Sequence, residues 1–229
     1  MVSPCKNLRL AVENGDTEAT IEFLNNVLTM ESHHFRTATM NKHNGILELF
    51  LSRSWEINAD MSDTVPSASV YTFEDVGLLK WFLNHGADPK KRCRIRNCTS
   101  LSYAVRDGPF NAIKILFESG GQVQDGQLLH YAVMRTKNDS HAVLELIYDQ
   151  DSDYNKQCVN RMIDEGTPEY SMNERSGLGT PVHYAARSGS AEMVIFLQGR
   201  AELLIFKILT VGHQLVTRFI TGIMKSNKS

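Results

Sequence analysis

The chain has 229 residues, 42% of them hydrophobic and 22% charged, the composition of an ordinary globular protein with enough length for a sizeable core. A net charge of −2 and a pI of about 6.4 give no overall attraction to nucleic acid or to anionic membranes, so those partners are set aside. The four cysteines, Cys5, Cys93, Cys98 and Cys158, form no paired framework, and the opening stretch MVSPCKNLRLAVENGD lacks the apolar run of a signal peptide. The expectation is an intracellular protein, cytoplasmic or nuclear, with reduced thiols. The sequons at Asn97 and Asn138 then read as chance matches.

Taken in chain order, the sequence repeats itself. NLRLAVENGDTEATIEFL carries Leu8, Ala11, Gly15, Phe23 and Leu24. HFRTATMNKHNGILELFLSRSWEIN is weaker, with Phe35, Ala38, Leu47, Phe50 and Leu51. GLLKWFLNHGADP preserves a second half only: Leu79, Phe82, Leu83, Gly86, Ala87 and Asp88. NCTSLSYAVRDGPFNAIKILFESGG carries Thr99, Leu101, Ala104 and Gly108, then Ile113, Leu116, Phe117 and Gly120. GQLLHYAVMRT carries Leu129, His130 and Ala132, followed by Val143, Leu146 and Ile147. GTPVHYAARSG opens the last unit, with Thr180, Pro181, Val182, His183, Ala185, Ala186 and Gly189, then Val194 and Leu197. Each unit reads as a short helix, a turn, and a second helix with apolar residues at i, i+3 and i+4. In the last unit Thr180 suits the N-cap, Pro181 the first helical position and Gly189 the C-terminal turn. One such unit cannot bury its apolar face, whereas stacked units supply each other's missing wall.

The pattern resembles the ankyrin repeat, with Thr180, Pro181, Val182, His183 and Ala185 matching its T-P-L-H-x-A signature and Asn84–Pro89 its closing phrase. About six units cover residues 1–200. Thr99 and Thr180 have only one recognisable unit between them, which makes Lys156–Gly179 an insertion (about 156–179). The resemblance implies an all-α solenoid of stacked helix–turn–helix units with fingers projecting from one edge. It also implies a stand-alone, monomeric scaffold that binds a protein partner through a concave groove and the fingers, with no catalysis, cofactor, metal or small-molecule substrate. Residues 201–229 depart from the pattern, but Leu204, Ile208, Val211, Leu215 and Phe219 form one helical stripe. That segment reads as an atypical helix capping the stack. A membrane anchor is the less favoured reading, because Lys207, His213, Gln214 and Arg218 interrupt every apolar run. A chain end foreign to the architecture is the third.

Groove positions follow from the helical period: the residue after the signature's His, and those three and four further on, share one face. They are Tyr103, Arg106 and Asp107; Tyr131, Met134 and Arg135; and Tyr184, Arg187 and Ser188. The upstream units offer Thr37, Met40 and Asn41, and Ser69, Thr72 and Phe73. Tyr and Arg dominate protein-binding hot spots, so the expectation is a stripe of Tyr beside a stripe of Arg. Half-buried packing between helices is the competing reading of the tyrosines. His130 and His183 read as structural, because no partner lies at a zinc-like spacing; His33–His34 and Cys93–Cys98 lack one too. A second candidate is the basic run KKRCRIR, with Lys90, Lys91, Arg92, Arg94 and Arg96 in a finger, as an import signal or anion-binding patch. The alternative function is a substrate-recognition adaptor of a larger assembly such as a ubiquitin ligase, or a membrane-tethered adaptor through the tail.

Overall fold

The computed structural model describes residues 4–26, 29–173 and 178–200; the C-terminal stripe expected at 201–229 lies outside them. Helices α1 (Pro4–Asn14) and α2 (Thr17–Asn25) form the first pair, and α3 (Ser32–Met40) and α4 (Asn44–Ser52) the second. A single 3₁₀ turn, η1 (Ala68–Tyr71), precedes α5 (Val76–Asn84). Then come α6 (Ser100–Asp107) with α7 (Phe110–Glu118), and α8 (Leu128–Val133) with α9 (Ser140–Gln150). Helices α10 (Ser152–Cys158) and α11 (Pro168–Asn173) precede the last pair, α12 (Pro181–Arg187) and α13 (Ala191–Gln198). The described residues are all-helical apart from two isolated bridges, Ser62 with Val65 and Arg92 with Thr99.

The first elements of the units stack in one column, α1 on α3, α3 on η1, η1 on α6, α6 on α8 and α8 on α12. Helix α12 packs on α8 although α10 and α11 intervene in the chain, so the inserted segment leaves the column unbroken. Small side chains permit this approach. Ala38, Ala104, Ala132 and Ala185 are wholly buried, the last three each two residues after Ser102, His130 and His183 in turn. The second helices fill the space behind with Ile46, Leu47 and Phe50, then Leu79 and Phe82, Ile113 and Leu116, Val143 and Ile147, and Val194 and Leu197. Each such side chain contributes roughly 1.5–3 kcal/mol on leaving water. Phe35 anchors the first half, with ring centroids 6.1 Å from Phe50, 5.3 Å from Trp55 and 6.0 Å from Phe82.

The turns behave as the glycines require. Gly86 and Gly189 have φ of 89° and 74°, a region costly for any other residue. Gly189 N–H donates to Ala186 O and Ser190 N–H to Ala185 O, each at 3.1 Å; Gly86 and Ala87 repeat this onto Leu83 O and Phe82 O, each at 3.0 Å. These paired bonds are the Schellman ending, which satisfies carbonyls that a helix leaves open.

Polar bonds between units carry the repeat spacing directly. Asn41 Nδ2 donates to Glu13 O across 28 residues, Asn58 Nδ2 to Gly86 O across 28, and Lys91 Nζ to Asp60 across 31. Arg135 donates to Val105 O across 30 residues, and His130 Nε2 to Arg161 O across 31. A period of about thirty residues is therefore built into the contacts as well as the sequence.

Two features differ from expectation. The third unit has no first helix of normal length. Its segment begins at Pro66, which lacks a donor, and spends Ser67 and Ser69 on a buried hydroxyl cluster with Ser100 at 2.8–3.2 Å. Ser69, Thr72 and Phe73, expected on the groove, are consequently buried. The inserted segment, for its part, folds back over earlier units. Asp164 accepts Arg96 Nε and Asn97 N–H, each at 2.9 Å, and Glu169 N–H donates to Ile95 O at 3.1 Å. Gln127 clamps the same segment, donating to Met162 O at 3.1 Å and accepting Asp164 N–H at 2.6 Å.

Candidate protein-binding face

A local bond marks the start of three of the first helices, α3, α6 and α12. In α12 the Thr180 N–H donates to His183 Nδ1 at 3.2 Å, and in α3 the Glu31 N–H donates to His34 Nδ1 at 3.2 Å. Ser102 takes the role in α6: it accepts Thr99 N–H at 3.0 Å and donates to Gly126 O at 2.7 Å. In α8 the cap is Gln127 in the left-handed conformation, with φ 52°, and His130 Nδ1 has no protein partner. Nε2 of His130 faces the Arg161 carbonyl at 2.9 Å and must donate, which leaves Nδ1 as acceptor. Burial lowers the His130 pKa to about 4, and burial followed by the charge of His33 lowers that of His34 to about 4. Both rings are neutral packing elements, as the sequence reading of His130 has it.

The candidate residues fall into two groups. Tyr103 is half-buried and its hydroxyl donates to Thr64 O at 2.9 Å. The Arg106 guanidinium lies 5.2 Å from the Tyr103 ring centroid and bonds exposed Asp107 at 2.7–2.8 Å. Tyr184 is half-buried, its ring edge-on to His130 at 6.4 Å, and Arg187 and Ser188 beside it are exposed. Met134 is half-buried. These positions give two Tyr–Arg pairs, one on α6 and one on α12.

Tyr131 and Arg135 do not belong to the face. Tyr131 is 1% exposed and Arg135 4% exposed. Helix α6 runs on to Asp107 and α12 to Arg187, whereas α8 ends at Val133, so Arg135 lies beyond the helix end and outside the phase that exposes Asp107 and Ser188. Its guanidinium turns inward to Val105 O at 2.9 Å and to Asp139 at 2.6 and 2.7 Å. Hydrogen bonding from Arg135 in turn holds the Asp139 carboxyl below the usual range. Tyr131 is covered because the inserted segment closes over the middle unit. Arg96, Asp164 and Cys98 all act on its hydroxyl, and burial pushes its pKa up. The expected continuous stripe is therefore two patches separated by a covered centre.

The basic run is not a free cationic patch either. Lys91 pairs with Asp60 at 2.9 Å, Arg92 with Asp125 at 2.9 Å, Arg94 with Asp63 at 3.3 Å and Arg96 with Asp164 at 2.9 Å. Lys90 is exposed, its N–H bonded to the Asp88 side chain. Beside this finger lies a cavity of about 350 Å³ lined by Asn97, Gln127, His130, Tyr154, Cys158 and Arg161 among others. Sequence reasoning missed Asp164, the most connected acid of the region, because it sits in a segment without repeat signature.

Among the described residues no group of three His, Cys, Asp or Glu is placed to hold a metal ion, and no helix is long and apolar enough to cross a membrane. The chain matches no protein-family model and no curated protein.

Proposed function

We propose that this chain is a non-catalytic, ankyrin-type scaffold that binds a protein partner through the inner-helix face carrying Tyr103, Arg106, Asp107, Met134, Tyr184, Arg187 and Ser188. The observation that carries the reading is the column of short first elements α1, α3, η1, α6, α8 and α12, with polar bonds about thirty residues apart between the earlier units. That construction spends the buried polar groups on stacking and leaves Tyr and Arg at matching phases of α6 and α12. Half-buried tyrosines beside arginines offer fixed apolar area with planar donors, suited to an acidic, partly apolar protein surface.

The test is an affinity capture from native lysate, comparing the intact chain with Arg106→Glu/Arg187→Glu. Both arginines keep solvent contact, so the variant should melt within a few degrees of the parent. Loss of the captured protein by the folded double variant supports the reading. Undiminished capture overturns it.

A further inference from the structure

The finger that carries the basic run holds two cysteines in a defined relation. Cys93 and Cys98 face each other across the hairpin. Arg92 bridges Thr99, and Cys93 N–H donates to Cys98 O at 3.0 Å, which sets the two side chains directly opposite. Directly opposed residues of a hydrogen-bonded pair have Cα atoms about 5.5 Å apart, inside the range that a disulfide spans. Their sulfurs lie 3.0 Å apart. Arg94, Ile95, Arg96 and Asn97 form the tip between them, and Arg94 is exposed.

We propose that Cys93 and Cys98 are a reversible dithiol oxidation site, closed to an intramolecular disulfide by a small peroxide. Cys93 is the attacking sulfur. The hydrogen bond to Cys98 lowers its pKa and favours its thiolate, while the same bond and burial push Cys98 up. The Cys93 thiolate attacks one peroxide oxygen, the O–O bond breaks, and a sulfenic acid forms as hydroxide leaves and takes up a proton. The Cys98 sulfur, losing its proton, then attacks the Cys93 sulfur, breaks the S–O bond and releases the second oxygen as water. Two thiols are oxidised, one peroxide is reduced, and two waters leave. Cys158 lacks this arrangement: burial raises its pKa and Tyr154 is its neighbour.

The experiment treats the full, folded chain with hydrogen peroxide, blocks remaining thiols with N-ethylmaleimide, digests with trypsin and maps the fragments by mass. Trypsin cuts after Arg94 and Arg96, so the Cys93 and Cys98 fragments separate unless a disulfide joins them. The expected result is a joined pair, lighter by two hydrogens than the separate fragments and released by dithiothreitol. It should form at least about tenfold faster than any oxidation of Cys158, since reactivity follows thiolate character. In Cys98→Ser, Cys93 should stop as a sulfenic acid that dimedone traps. Full alkylation of both thiols after peroxide, or Cys93 joined to another cysteine or a second chain, overturns the proposal. The wild-type map decides it even if the variant does not fold.

Discussion

Asp164 binds Arg96 across 68 residues of chain, its Oδ2 accepting the Arg96 Nε–H at 2.9 Å while Oδ1 accepts the Asn97 N–H. The Asp164 side chain is 1% exposed and that of Arg96 23%. The two halves of the pair are therefore not equivalent. Removing Arg96 strands a carboxylate that water barely reaches, whereas removing Asp164 leaves a cation that still touches solvent.

The first prediction follows from that asymmetry. Arg96→Ala should destabilise the fold by about 3–5 kcal/mol, and Asp164→Ala by about 2–3 kcal/mol. Urea unfolding of both variants checks the order. Equal small losses would mean that the inserted segment does not dock on the finger.

Arg135 and Arg106 make a second contrast. Arg135→Ala leaves the buried Val105 carbonyl without its donor and removes the pair with Asp139, whose carboxylate still touches water, and should cost about 1–3 kcal/mol. Arg106→Ala, whose guanidinium reaches water and pairs with an exposed Asp107, should cost about 1 kcal/mol or less. Thermal melts of the two variants read the difference.

Close packing gives the third prediction. Ala185 is wholly buried where α12 meets its neighbours, so Ala185→Leu overpacks the column and should cost about 1–3 kcal/mol. An unchanged melting temperature would place Ala185 against solvent and refute the register.

What was legible in the sequence, and what was not, divides along these residues. Ala185, Gly189 and the spacing of Val194 and Leu197 follow local rules, and the last pair forms as expected. Met134 and Arg135 sit side by side, and only the packed fold decides which of them turns outward. The acids near the basic run in sequence are Asp75, Asp88 and Asp107. The partners of the run are Asp60, Asp63 and Asp125, one period away, and Asp164 further still. In a stacked repeat the electrostatic neighbour of a finger is the next finger, so charge balance is read across the period. The third unit's missing first half was legible, but the burial of Ser69, Thr72 and Phe73 was not, because Ser67 and Ser69 look like ordinary polar surface until Ser100 closes on them.

The fourth prediction concerns pH. His34 and His130 have folded pKa values of about 4, below the ordinary 6.5 of the unfolded chain. The unfolded state thus binds more protons between those limits, so stability is full above about pH 6.5 and is lost as pH falls towards 4. The loss is on the order of 3 kcal/mol for fully buried His130. Melts taken from pH 7 to 4 should fall steadily, and His130→Gln should flatten part of that slope. A parent chain with no loss over this range would contradict neutral, buried rings.

Under the proposed function, Arg106 and Arg187 on the inner helices, and not the paired finger, meet the partner. The most direct measurement is calorimetric titration of the captured protein into three forms of the chain: the parent, Arg106→Glu/Arg187→Glu, and Lys90→Glu/Arg94→Glu. The account predicts a loss of about tenfold or more in affinity for the first variant, the size of one interface hot spot, and parental affinity for the second. Parental affinity in the inner-helix variant with loss in the finger variant would contradict it.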